Sequence, residues 1–134
     1  MNDGGRTPFR ARRAITCFSE KDRNYLKSQR LARIATVSKQ SQPDVAPVGY
    51  EFDGEYFYVG GRSMTTTFKY KNVKANPRVA IVVDDLESVD PWRPRGISVH
   101  GTGELVHRRG YAGEGEYIRI RPEKVRSWGI DKSV

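Results

Sequence analysis

The chain has 134 residues, 37% of them hydrophobic and 30% charged, with one cysteine and a formal net charge of +8. That length supports one domain with its own core, the lone Cys17 cannot form an internal disulfide, and no Cys/His cluster has the spacing of a zinc site. No apolar run approaches the length of a membrane-crossing helix, and Met1-Asn2-Asp3-Gly4-Gly5-Arg6 lacks the apolar heart of a signal peptide, so a cytoplasmic protein without a membrane partner is expected.

Residues 1–17 carry Arg6, Arg10, Arg12 and Arg13 among glycines and read as a flexible basic arm ahead of a single domain over 18–134. A nucleic-acid arm is the sharper alternative. Ser19-Glu20-Lys21-Asp22 has the Ser-x-x-acid spacing of a helix start and predicts a helix to about Gln29 that buries Tyr25 and Leu26. The β-branched run from Leu31 to Val37 predicts a strand, ended by a polar loop over 38–43. A second extended run covers 44–52, where Pro47 argues for an edge, a bulge, or a place where the ladder is interrupted for a ligand. Asp53-Gly54 predicts a two-residue hairpin turn into a strand over 55–59.

The next stretch, Gly60-Gly61-Arg62-Ser63-Met64-Thr65-Thr66-Thr67-Phe68-Lys69, passes from glycines through a hydroxyl cluster into a short basic helix stopped by Asn76-Pro77. Glycines permit close backbone approach, a Ser/Thr-capped helix start favours anions, and Lys69 adds a full charge within one turn. These features describe a phosphate cradle. They equally describe an ordinary capped helix with a solvated basic face.

Residues 78–84 form a continuous apolar run suited to a central strand, followed by an expected long loop over 85–95 with Trp92, Arg93 and two prolines. Residues 96–106 read as a strand bent at glycines, 110–115 as a loop, and 117–121 as an alternating strand. A turn with a short helix is expected at 122–125. The sum is a mainly β fold of six antiparallel strands with short helices, in which bends at glycine favour a small barrel. No Gly-x-Ser-x-Gly elbow, Walker loop or dinucleotide fingerprint is present, and His100 and His107 lack triad partners. The acids Asp84, Asp85, Glu87 and Asp90 fall where solvated loop carboxylates are usual. Aromatics interleaved with arginines at Trp92–Arg95 and Tyr117–Arg121 keep a nucleic-acid-binding barrel as a distant alternative.

The order and spacing of several runs resemble the pyridoxamine 5'-phosphate oxidase-like, FMN-binding split-barrel superfamily, and more narrowly its coenzyme F420-dependent oxidoreductase branch. The runs are Gln29-Arg30-Leu31-Ala32-Arg33-Ile34-Ala35-Thr36-Val37, Pro43 with Ala46-Pro47-Val48-Gly49, Lys69-Tyr70-Lys71-Asn72-Val73 with Asn76-Pro77-Arg78-Val79-Ala80, Asp90-Pro91-Trp92-Arg93-Pro94-Arg95-Gly96, and Ile118-Arg119-Ile120-Arg121-Pro122 with Ser127-Trp128-Gly129-Ile130. The resemblance implies a six-stranded split barrel working as a homodimer, with coenzyme F420, or FMN as the alternative, in a groove between the copies. It implies that Lys69 and the residues before it, Gly61, Arg62, Met64, Thr65, Thr66 and Thr67, hold the cofactor phosphate. It implies that Val45, Ala46, Pro47 and Val48 line the ring, and that the loop with Trp92 and Arg93 reaches the cofactor or substrate edge. Relatives place an Arg two positions before the Lys where this chain has Thr67, so phosphate affinity leans on hydroxyls, backbone N–H groups and Arg62. The activity implied is hydride transfer to a small conjugated or unsaturated substrate. A non-catalytic flavin, haem or tetrapyrrole carrier is a further alternative. No acid–base pair or proton donor stands out; Tyr50 and Tyr58 serve equally as core residues.

Overall fold

The computed structural model describes residues 18–130. The expected basic arm over 1–17 lies outside the described residues.

Helix α1, Glu20–Ser28, starts as its sequence dictates. The Ser19 hydroxyl accepts from the Asp22 N–H at 3.0 Å, and the Asp22 carboxylate accepts from the Ser19 N–H at 3.1 Å. Two otherwise orphaned donors are thereby satisfied. Seven strands follow: β1 Leu31–Val37, β2 Pro43–Gly49, β3 Glu51–Phe52, β4 Phe57–Val59, β5 Arg78–Ser88, β6 Arg93–Gly110 and β7 Gly113–Trp128. A 3-10 turn, Met64–Thr66, and helix α2, Phe68–Ala75, lie between β4 and β5.

The strands form one antiparallel sheet in the order β2-β1-β5-β6-β7-β4-β3. Its two edge strands, β2 and β3, are separated in the chain by Tyr50 alone. The sheet must therefore curl until its edges meet, which makes a barrel split at that residue. Tyr50 is buried at the seam, where its hydroxyl donates to the Leu26 carbonyl at 2.6 Å and burial pushes its pKa upward. This is the mainly β, antiparallel split barrel expected. Among the described residues the strand count is seven rather than six because the extended run over 44–52 breaks at Tyr50, its halves forming opposite edges of the sheet, β2 beside β1 and β3 beside β4.

Inward-facing positions alternate along the strands and fill the barrel: Ala32, Ile34, Ile81, Val83, Ile97, Val99, Ile118 and Ile120 are all essentially inaccessible. Each such valine or isoleucine contributes about 1.5–3 kcal/mol relative to exposure. Phe18, Phe52 and Phe57 pack edge-on and tilted at 4.9–6.2 Å between ring centres. Near α1 the Tyr25 hydroxyl donates to Asp85 at 2.8 Å. Helix α2 lies toward the other end of β5, where the position a Gly103 side chain would take is 3.1 Å from Val73 and 3.2 Å from Val79.

Four local expectations are corrected. Residues 85–95 are not a long loop: β5 and β6 continue as a paired ribbon, with Asp85 opposite Arg95 and Leu86 opposite Pro94, closed by a turn over 89–92. The Arg95 guanidinium donates twice to the Asp85 carboxylate, at 2.8 and 3.1 Å, and ties the ribbon's base. Residues 122–125 form no helix but stay in β7, where a bulge shifts the register between His100 and Gly101. Pro122 cannot donate to a ladder, and a Cβ on Gly101 would sit 2.3 Å from the Arg121 carbonyl oxygen, so a bulge built on these two residues fits the strand together. The Asp53-Gly54 hairpin is wider than two residues, with Phe52 opposite Phe57 and the Asp53 carboxylate accepting from the N–H groups of Glu55 and Tyr56. Residues 110–115 reduce to a tight turn at Tyr111-Ala112 between β6 and β7. No helix among the described residues is long and apolar enough to cross a membrane.

Candidate functional site

The residues singled out in the sequence fall into three places. The first is the loop from Gly60 to the start of α2. Gly60 is held from outside: its N–H donates to the Tyr111 hydroxyl at 2.8 Å, and that hydroxyl donates to the Gly49 carbonyl at 2.8 Å. A Cβ on Gly60 would lie 2.3 Å from the Tyr117 ring, so packing alone requires glycine there. Gly61 is exposed with open space around it. The Met64 side chain turns into the core at 3% exposure, leaving only its backbone for a ligand.

The hydroxyls divide between internal and outward roles. Thr67 caps α2: its Oγ1 accepts from the Tyr70 N–H at 3.2 Å and donates to the Met64 carbonyl at 2.7 Å. Thr66 donates to the Ser63 carbonyl at 2.8 Å. Thr65 and the Arg62 guanidinium have no partner among the described residues and are exposed. The N–H groups of Phe68 and Lys69 open α2 and have no carbonyl within the helix to donate to.

Lys69 is half-buried between α2 and β2. Burial lowers its pKa, and the nearby Asp44 carboxylate only partly offsets that. No ion pair to it forms among the described residues. Its helix is fixed one turn further on, where the buried Asn72 amide donates to the Thr36 hydroxyl at 3.0 Å. Thr36 pairs across the ladder with Asp44, which is how Asp44 comes to face Lys69. Asp44 was not singled out from the sequence, because only the β1–β2 register puts it there.

The second place is β2, an edge strand, one of the alternatives that Pro47 left open. Its alternation splits the four residues expected to line a ring. Ala46 and Val48 pack into the core, while Val45, 67% exposed, and Pro47 face outward. Side-chain contact with a ligand therefore falls to Val45 and Pro47, with backbone alone available from Ala46 and Val48.

The third place is the β5–β6 ribbon tip, carrying Trp92, 67% exposed, and Arg93. The register sets Val45 opposite Ala35 and Ala35 opposite Ala80, whereas Arg93 is opposite Ser88. From Ala80 to Ser88 the strand advances about 25 Å. Within one chain, then, Trp92 and Lys69 do not meet around one small ligand.

Elsewhere, His107 lies between Glu116 at 2.9 Å and Glu114 at 3.3 Å, whose carboxylates raise its pKa; this is a solvated surface cluster. Tyr58 lies under the Arg108 guanidinium at 3.9 Å and donates to Asp53, consistent with a structural role.

The family model for pyridoxamine 5'-phosphate oxidase matches residues 18–129. The chain belongs to that family. A 5a,11a-dehydrotetracycline/5a,11a-dehydrooxytetracycline reductase of Streptomyces rimosus subsp. rimosus is 37% identical over 121 residues, spanning 85% of this chain and 84% of the relative. Among solved structures, a conserved hypothetical protein of Mycobacterium tuberculosis superposes with a TM-score of 0.68 at 23% identity, over 87% of this chain and 88% of that one. A structure described as an F420 reductase superposes with a TM-score of 0.60 at 25% identity, over 77% of this chain and 94% of that one. The chain is an oxidoreductase of a flavin- or deazaflavin-binding family.

The residues present fit such a group. A ribityl phosphate needs donors and positive charge, and Arg62, Thr65, the α2 N–H groups and Lys69 supply them with no competing ion pair among the described residues.

Proposed function

We propose that this protein binds coenzyme F420 at the loop before α2, works as a homodimer, and reduces a flat conjugated carbonyl compound. The observation that carries this reading is Lys69, a half-buried cation with a lowered pKa and no ion pair among the described residues, at the mouth of a capped helix. An anionic phosphate there would stabilise the charged form and raise that pKa again. When bound, the deazaflavin supplies the hydride. The protein's own groups hold the phosphate, present Val45 and Pro47 to an apolar surface, and exclude water.

Coenzyme F420 differs from FMN in its acidic tail beyond the phosphate, and the surface beside α2 suits such a tail. A cavity of about 620 Å3 lies between α2 and the 38–40 turn, lined by Lys39, Lys71 and Lys74 together with Phe68. None of the three lysines has an ion-pair partner among the described residues. The F420 reductase neighbour supports the same choice, and the reductase relative supports reduction of a conjugated carbonyl compound.

The homodimer reading is supported by reach, if Trp92 and Arg93 contact the cofactor. Trp92 and Arg93 can approach a cofactor held at Lys69 only from a second copy, given their separation along β5. Val89, Trp92, Leu31 and Val45, each more than 60% exposed, supply apolar surface for it.

The test is a titration of the purified protein with F420 and with FMN at low and high salt. F420 binds more tightly at low salt, and the margin narrows as salt is added, since exposed charge contacts are screened. Lys71→Glu with Lys74→Glu removes the margin and leaves FMN affinity unchanged. Equal affinities at low salt, or a preference for FMN, would sink the F420 assignment and leave an FMN oxidoreductase standing.

A further inference from the structure

The outer face of the sheet carries a second feature, built by register. Antiparallel partners opposite one another share a face, so Val45, Ala35, Ala80, His100 and Lys124 form one row across five strands. Its ends are large and its middle is two alanines. The neighbouring row holds Arg78 opposite Thr102. Ala35, Ala80 and His100 of the first row, with Arg78 and Thr102 of the second, line a trough of about 320 Å3 with an alanine floor.

The trough is polar at one end only. Arg78 and His100 are both exposed, and the Arg78 guanidinium has no partner among the described residues. The Thr102 hydroxyl donates to Glu123 at 2.7 Å, which turns the one acid nearby toward the protein's own hydroxyl. At the other end Val37 and Pro43 bound it at the β2 edge, two residues along that strand from Val45. From Val45 to His100 the row spans three strand spacings, about 14 Å. That is comparable with a short row of fused six-membered rings.

We propose that this trough seats the organic substrate, and that Arg78 and His100 are specificity-determining residues for a flat, fused-ring molecule with an anionic, carbonyl-rich edge. The alanine floor admits a ring face that any larger side chain would displace. The guanidinium pairs with ionised enol or carboxylate oxygens in the plane of the rings. A molecule so placed turns its apolar end toward Pro43 and the β2 edge, whose same face carries Val45 and Pro47. The proposal rests on the chain being an oxidoreductase of conjugated carbonyl compounds, and not on which flavin it carries.

The experiment uses tetracycline as the probe, followed by its own fluorescence on binding to the full chain without cofactor. The parent protein binds it. Ala80→Leu, which fills the floor, and Arg78→Ala, which removes the cation, each weaken that binding at least tenfold, and Arg78→Lys recovers part of the loss. Affinity for F420 or FMN, measured on the same variants, stays within twofold, and their melting temperatures stay at the parent value. Should Ala80→Leu fail to fold, the exposed Arg78 variants decide alone. A parent that does not bind tetracycline, variants that bind it as the parent does, or a parallel loss of cofactor affinity would overturn the assignment. A parent that binds tetracycline through Arg78 but neither flavin would leave the trough standing and remove the cofactor reading instead.

Discussion

The two ends of strand β5 carry the two halves of the candidate site, and they are built in opposite ways. At the Arg78 end the loop and α2 are locked from within. Thr67 caps the helix, Asn72 is tied to Thr36, Met64 and Val73 are buried, and Gly60 is pinned between Tyr111 and Tyr117. At the Ser88 end the ribbon is tied only at its base by Asp85, Arg95 and Tyr25, and its tip presents Val89 and Trp92 to solvent. The difference teaches which half is preorganised by this chain alone. A phosphate site needs fixed donors, and those sit at the locked end. Apolar side chains on a paired ribbon gain little until something covers them.

If the locked end is as tightly built as this, it is the easier to break. Gly60→Ala should produce the largest loss of stability, about 3 kcal/mol, because the new methyl meets the Tyr117 ring, which is 1% exposed and cannot move aside. Urea unfolding reads it directly. A loss below about 1 kcal/mol would mean that the Tyr111–Gly60–Tyr117 contact is looser than described.

Lys69→Ala should leave stability near the parent value and weaken cofactor binding by about 1.5–3 kcal/mol, the range for a hydrogen bond to a charged group. The pH dependence sharpens this. Burial lowers the Lys69 pKa, so in the free protein the charged form is lost at a lower pH than for an ordinary lysine. An anion binds the charged form, so affinity is full below that lowered pKa and falls as pH rises through it. Lys69→Arg should bind with no such fall. A parent profile flat through the alkaline range would place the phosphate elsewhere.

Thr67→Ala separates capping from ligand binding. Its hydroxyl is already committed to the Tyr70 N–H and the Met64 carbonyl, so the expected cost is about 1 kcal/mol of stability, largely restored by Thr67→Ser. Thr65→Ala, by contrast, should spare stability and weaken phosphate binding. The reverse ordering in paired melts and titrations would exchange the roles of the two threonines.

What could be read in advance was local in the chain. Ser19 and Asp22 announce α1 within four residues, and Thr67 announces α2 in the same way, because capping is satisfied by near neighbours. Pro47 left an edge strand among its alternatives for the equally local reason that it lacks an N–H. The ribbon was not legible, since two prolines and four acids resemble a solvated loop, and only the pairing of Asp85 with Arg95 and Leu86 with Pro94 makes it a sheet. Which of Val45, Ala46, Pro47 and Val48 face outward depended on the register with β1. Asp44 beside Lys69, and the row of Ala35, Ala80 and His100, depend on partners tens of residues apart. Alanines in apolar runs look the same whether they fill a core or floor a trough.

The smallest expected effect on folding belongs to the open end, and it is the most informative about the second copy. Trp92→Ala removes a side chain 67% exposed at the tip of a turn, with no packing partner in the buried core. On the folded chain alone such a change costs at most about 0.5 kcal/mol. The Asp85–Arg95 contacts that tie the ribbon lie at its base and remain in place. If the tip instead lies against a second copy, the same truncation strips an aromatic anchor from an interface, where losses of 2 kcal/mol or more are common. Sedimentation at micromolar concentration would then show the variant shifting toward monomer, and cofactor affinity would fall with it although Trp92 is about 25 Å along the strand from the level of Val45. A parent that sediments as a monomer, or a variant whose mass and cofactor affinity both match the parent, would make the ribbon tip a bystander and confine the site to the locked end of β5.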